Sequence, residues 1–261
     1  MNFEDIIFEK KDGIAKVTFN RPQVYNAVRF ETFKELLIAL EDIEKDNTVG
    51  VMVVTGAGEK AFCSGGDVNI FKNSTPKEAR QQVPYCLKIA SAMRNMGRPI
   101  IAAVNGFCMG WGLEFTTFCD LVIASDNAVF SQPELLVGSC SAFGATQMFS
   151  RLMGERRARE AIFLAKRFDA REAERIGLIN KVVPPDKLEE EVDAWCKRIL
   201  EMSPQATRMA KTCLNFGADL SITALNHGAI MWQMLHGTEE WIEGMGAFLE
   251  KRKPDYHKFR K

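Results

Sequence analysis

The sequence predicts an α/β fold of strand–loop–helix units, followed by a mostly helical C-terminal third. Three observations point there. Residues 50–55, 99–104 and 121–125 are short apolar runs rich in β-branched side chains, suited to parallel strands covered on both faces. The first two lead into glycine-rich turns, at Lys60–Asp67 and Gly110–Gly112. Beyond residue 145 the apolar spacing becomes that of helices.

The elements follow in order. Residues 4–9 and 14–19 alternate as strands do, and Lys11-Asp12-Gly13 supplies the turn of a hairpin. Asn20-Arg21-Pro22 ends it. Phe33, Leu36, Leu37, Leu40 and Ile43 lie on one face of a helix over residues 30–45. Residues 60–67 read as loop and 76–96 as a helix that Pro84 is expected to break. Residues 108–119 read as a helix opened by the glycine pair. Helices are then expected over 145–165, 170–177, 186–202, 204–219 and 222–251, with a short strand at Lys181-Val182-Val183. No linker divides the chain, and a core of residues 1–195 with a helical region of residues 196–261 is the expected organisation.

With 261 residues and 46% hydrophobic content, the chain is long enough for one large core. Its 34 basic and 34 acidic side chains give no basic excess, which argues against nucleic acid or an anionic membrane as partner. Seven cysteines, scattered and without Cys-x-x-Cys spacing, fit reduced thiols better than a disulfide framework. The N-terminus lacks an apolar signal core, and no apolar stretch is long enough to span a bilayer. A soluble, cytoplasmic protein is expected.

Two glutamates carry the chemical signal. Glu114 closes the segment Asn105–Glu114, and Glu134 closes Phe130–Glu134, both in the most apolar third of the chain. An isolated glutamate is ordinarily solvated. A pair in apolar surroundings with flanking glycines suggests acid/base work on a bound substrate. The loop Ala61–Asp67 follows a buried strand, and its glycines let backbone approach a ligand. The turn Gly110-Trp111-Gly112 opens a helix, whose first N–H groups have no helical partner. One N–H from each loop is the composition of an oxyanion hole.

Other chemistries fit less well. Gly56-Ala57-Gly58-Glu59-Lys60-Ala61 matches a relaxed dinucleotide-binding pattern, but Gly65-Gly66 follows where the helix should continue. No Gly-x-Ser-x-Gly elbow is present, and His227, His236 and His257, all in the C-terminal third, read as surface or interface residues. No cluster has metal-ligand spacing, so neither metal nor cofactor is expected.

Val17-Thr18-Phe19-Asn20-Arg21-Pro22 with Asn26-Ala27, the Ala61–Asp67 loop, Asn105–Glu114 with Cys119-Asp120, Gln132-Pro133-Glu134 and the ending Glu250–Lys253 together resemble the crotonase (enoyl-CoA hydratase/isomerase) superfamily over nearly the whole chain. The resemblance implies a spiral of ββα repeats with a C-terminal helical trimerisation region. It also implies an acyl-CoA thioester substrate and a trimer or a dimer of trimers. By position, the backbone N–H groups of Gly66 and Trp111 would bind the thioester oxygen. Glu114 and Glu134 match the two glutamates that hold a water in hydratases. Members with one glutamate replaced tend toward isomerisation or hydrolysis, and a decayed site would leave a binding subunit. Two retained glutamates favour hydration. Coenzyme A would lie against Gln23, Val24, Ala27, Ala61, Ser64, Asp67 and Val68, with Gly112, Ala142 and Phe143 on the acyl side. Lys258 or Lys261 would reach a phosphate, from this or a neighbouring subunit, or else the basic tail is simply solvated.

The chain departs from the family pattern at two places. Trp111 replaces the middle glycine before Glu114, and its indole is expected to shape the acyl pocket or else to pack into the core. Ser141-Ala142-Phe143-Gly144-Ala145 replaces a glycine-rich turn, and Phe143 adds bulk. A cyclic, branched or aromatic acyl group becomes a reasonable expectation.

Overall fold

A computed structural model describes residues 3–216, 228–256 and 259. The hairpin is present as β1 (Ile6–Lys11) and β2 (Ile14–Phe19), and its turn uses positive φ at both Asp12 and Gly13, as a two-residue hairpin requires. From β2 the chain forms a six-stranded sheet with β3 (Val51–Gly56), β5 (Ile100–Val104), β7 (Leu121–Ser125) and β10 (Lys181–Val183), in the order β1-β2-β3-β5-β7-β10. All pairings except β1–β2 are parallel.

Both faces of this sheet are covered, which is why its strands lack alternation. Met52, Val54, Ile100, Ala102 and Val104 join the main core together with α1 (Phe30–Lys45) and α3 (Pro76–Asn95). Val51, Val53, Ile101, Ala103 and Ile123 face the other way, against Leu188, Val192 and Cys196 of α8 (Leu188–Leu200). The division expected after residue 195 falls inside α8. Pro84 does not break α3. It sits on the exposed side of the helix, where the carbonyl it leaves unpaired can be hydrated.

A second sheet lies where loop and helix were expected. Strands β4 (Ala61–Cys63), β6 (Phe107–Met109), β8 (Val129–Ser131) and β9 (Arg167–Asp169) pair in that order. Each has three residues, too few to show a period. Two corrections follow: the 60–67 loop contains a strand, and the helix expected over 108–119 is β6 followed by the short α4 (Trp111–Thr116). The strand at Ala61–Cys63 also removes the dinucleotide reading, since no helix opens there.

The C-terminal part is helical, with shorter pieces than the sequence suggests. Gly154 (φ 85) divides residues 145–165 into α5 (Ala145–Met153) and α6 (Glu155–Phe163). Then come α7 (Ala170–Arg175), α8 and α9 (Pro204–Phe216). Residues 228–235 are helical (α10), and Gly237 (φ 76) separates them from α11 (Glu239–Leu249), which Thr238 caps at the Trp241 N–H. Residues 217–227 lie outside the described part. No helix among the described residues is long and apolar enough to cross a membrane.

Candidate active site

The second sheet assembles the site. In the parallel register Cys63 pairs with Cys108, and Met109 with Ser131. The segments leaving the C-terminal ends of three neighbouring strands therefore lie side by side: Ser64-Gly65-Gly66, Gly110-Trp111 leading to Glu114, and Gln132-Pro133-Glu134. Ligands in parallel α/β sheets commonly bind at this end of the strands.

Close packing confirms the juxtaposition. A methyl built on Gly65 would lie 3.3 Å from the Met109 carbonyl oxygen and 3.6 Å from the Trp111 nitrogen. Gly110 has φ 53 and ψ −128, and a methyl there would sit 2.9 Å from Glu134 Oε1. The position thus needs glycine on two counts. Gly66 bridges to Val28 in β fashion, and the Asp67 N–H donates to the Val28 carbonyl, which fixes the loop's path. Trp111 is the first residue of α4, so helix geometry gives its N–H no partner within the helix.

Glu114 lies on the first turn of α4 and is buried. Its Oε1 accepts N–H bonds from Phe143 (2.8 Å) and Ala145 (3.3 Å). Burial pushes its carboxyl well above the ordinary range, and the charge of Glu134 adds to the rise. The backbone donors at Phe143, Ala145 and Ala142 offset only part of it.

Glu134 begins a 3-10 turn, Glu134–Val137, and is half-buried. Ser141 Oγ donates to its Oε2 at 3.0 Å. The Gln132 amide, in the orientation that satisfies its neighbours, donates to both carboxylate oxygens at 2.8 Å. Burial raises this carboxyl to about 7. Two carboxyls so placed cannot both ionise easily, and they titrate as a pair.

The Trp111 indole is half-buried among Phe33 (ring centroids 5.1 Å apart), Phe115 (5.2 Å) and Phe19 (6.1 Å). Its φ is not positive, so the residue replaces glycine without backbone strain. The Cys86 thiol is buried, and its pKa rises through burial and then through the charge of Glu114. Phe143 turns its ring to Trp232, 5.3 Å away.

The other expected binding residues divide into groups. Gln23 is exposed, Val24, Ser64 and Val68 are half-exposed, and Ala27 and Ala61 are buried. The Ser64 N–H donates to the Tyr25 carbonyl, so the two loops expected to hold coenzyme A do touch. Asp67 is buried and engaged: it accepts from Arg21 at 3.0 Å and caps the short helix α2 (Val68–Phe71). Gly112 lies against the Cys63 backbone, where a side chain would clash. Ala142 is buried and its carbonyl accepts from Gln147. Lys258 and Lys261 lie outside the described residues, as do His227 and His257. His236 is not a surface residue. It is buried between Trp232 and Trp241, and burial lowers its pKa. Among the described residues no cluster of side chains could hold a metal ion.

Three contributors were not singled out from the sequence. Ser141 and Gln132 hold Glu134, and Asn26 staples the 20–27 loop by donating to the Ala57 and Ala61 carbonyls. All three stand inside segments quoted above, but nothing in the sequence marks Ser141 as a partner of Glu134.

The model of the family described as Enoyl-CoA hydratase/isomerase matches residues 9–259. The chain belongs to this family. It is 39% identical, over the full length of both chains, to the short-chain-enoyl-CoA hydratase of Clostridium acetobutylicum. It is 38% identical to the crotonyl-CoA hydratase of Syntrophomonas wolfei, covering 98% of this chain and 99% of that one. Among solved structures it resembles an enoyl-CoA hydratase from Mycobacterium avium subsp. paratuberculosis, with a TM-score of 0.90, 26% identity, and 98% and 99% of the two chains covered. The fold is therefore the crotonase fold expected from the motifs.

Proposed function

We propose that this member of the family is an enoyl-CoA hydratase, with Glu114 and Glu134 as its acid/base pair. One observation carries the reading. Two carboxyls, both raised above the ordinary range, stand beside two backbone segments, at Gly66 and Trp111, whose N–H groups suit a thioester oxygen. The ionised carboxylate takes a proton from a water as its oxygen bonds the β-carbon. The double-bond electrons move toward the thioester, and the Gly66 and Trp111 N–H groups carry the enolate charge. The protonated carboxyl then gives its proton to the α-carbon. The pair ends with one proton, on the opposite glutamate, so acid and base are both restored by exchange.

Coenzyme A lies along the 20–27 and 60–67 loops, which hydrogen bonds already hold together. The Trp111 indole narrows the acyl pocket beside Cys86. The chain assembles as a trimer or a dimer of trimers through its C-terminal helices. Exposed apolar side chains there, including Leu214 (77% exposed), Phe216 (80%) and Met234 (67%), support this.

The test is purified protein with a panel of linear, branched and cyclic 2-enoyl-CoAs, following loss of the conjugated absorbance and product mass. A product heavier by one water, with the thioester intact, is expected. An unchanged mass with a shifted double bond, or a free acid, would replace hydration by isomerisation or hydrolysis.

A further inference from the structure

The chain after Gly237 packs directly onto the turn that carries Glu134. Gly138 (φ 71) ends that turn, and a methyl on it would lie 2.5 Å from the Glu240 carbonyl oxygen and 3.0 Å from the Trp241 Cα of α11. Gly244 makes the reciprocal approach: a methyl there would strike the Val137 backbone and the Tyr256 hydroxyl. A mid-helix glycine costs about 1 kcal/mol relative to alanine, so this one marks a close crossing of two backbones.

After α11 the chain reverses through Lys251 (φ 54). Glu243 secures the return, accepting from Arg252 Nη1 (2.6 Å) and from the Asp255 N–H (2.8 Å). This delivers the Tyr256 hydroxyl to the Leu136 carbonyl at 3.0 Å. The same face of α11 sends Trp241 and Met245 against Phe71 and Val137. The Phe71 ring in turn fills the space beside Gly66, where a methyl would lie 2.6 Å from it. One helix therefore touches the supports of both Glu134 and the Gly66 N–H.

We propose that α11 and its return segment form a clamp that sets the position of the Glu134 carboxyl, with Tyr256 as a positioning residue acting through the Leu136 carbonyl. The proposal rests on the acid/base reading of Glu134. Glu114 needs no such clamp, because backbone N–H groups of the 142–145 segment hold it directly.

The test is Tyr256→Phe, which removes one hydroxyl, made in the wild-type and Glu134→Gln backgrounds. In the wild type, kcat is expected to fall about tenfold with KM little changed, as a displaced acid/base group predicts. In the Glu134→Gln background the same change is expected to leave the residual rate unaltered. Equal losses in both backgrounds would overturn the proposal, and so would an unchanged kcat in the wild type. Amide hydrogen exchange over residues 135–139 supplies a readout independent of turnover. Faster exchange there in Tyr256→Phe is expected, and unchanged exchange would overturn the clamp. If exchange quickens but the wild type hydrates no enoyl-CoA, the activity reading has failed and the clamp has not.

Discussion

The two glutamates of the site are held by different means. Glu114 grows from a helix that starts at a parallel strand, and its partners are backbone N–H groups. Glu134 starts a single 3-10 turn, and its partners are the side chains of Ser141 and Gln132. Backbone donors survive any substitution but proline, whereas side-chain donors can be deleted singly. Glu114 is thus the fixed half of the pair and Glu134 the adjustable half. Burial raises both carboxyls, but Glu114 is deeper, and the charge of Glu134 adds to its rise.

Deleting either carboxylate breaks the comparison most severely. Glu114→Gln and Glu134→Gln are each expected to lower the hydration rate by roughly 10²–10⁴-fold, the usual scale of acid/base catalysis. KM for acyl-CoA should change little, because the loops expected to bind coenzyme A are elsewhere. A wild-type rate in either variant would remove that residue from the mechanism.

Gly110→Ala comes next. Its methyl meets Glu134 Oε1 and its φ of 53 disfavours alanine, so the variant strikes the adjustable half while leaving the Glu114 donors in place. A loss of about 10²-fold in kcat is expected from a displacement of this size, with a stability cost of about 1–3 kcal/mol. Urea unfolding and kcat together check both. A fall in stability without a fall in kcat would show that Glu134 tolerates the displacement.

Ser141→Ala has a smaller effect. It removes an O–H donor that favours the ionised Glu134. The acid limb of the kcat/KM profile, expected near the Glu134 value of about 7 in the wild type, should move to higher pH. An unmoved limb would assign it to another group.

The sequence made some of this legible and hid the rest for identifiable reasons. The six-stranded sheet could be read because β3, β5 and β7 are built on four or five consecutive apolar residues. The second sheet could not, because strands of three residues carry no period, and Phe107–Met109 merges into the helix that follows. Yet that sheet sets the register that aligns the three site segments. The glutamates themselves were visible, because carboxylates amid glycine and apolar residues are costly and therefore informative. Their supports were not equally visible. The amides that hold Glu114 belong to backbone and have no sequence signature, and Ser141 is one serine among many. Position alone leaves Trp111 between pocket and core, and the structure packs it in an aromatic cluster with Phe33 and Phe115.

The finest test of the comparison is thermodynamic. A carboxyl whose folded pKa is raised binds a proton that the unfolded chain has released, so it favours folding below its unfolded pKa and loses that contribution as pH rises through the folded value. Both glutamates have raised values, so each burdens the fold at and above neutral pH. Glutamine removes the burden while keeping the shape. Both variants should therefore match the wild type in stability near pH 4 and exceed it as pH rises from about 4.5, the ordinary glutamate range. The sizes differ. The Glu134→Gln advantage should level off above about 7, where its carboxyl is already ionised in the folded wild type. The Glu114→Gln advantage should be the larger, because Glu114 is more deeply buried and the charge of Glu134 adds to its rise. Denaturant midpoints measured from pH 4 to 9 would show the difference. Equal advantages would mean that the two carboxyls share their burial equally, and that the distinction between a deep, fixed glutamate and a shallower, adjustable one does not extend to their protons.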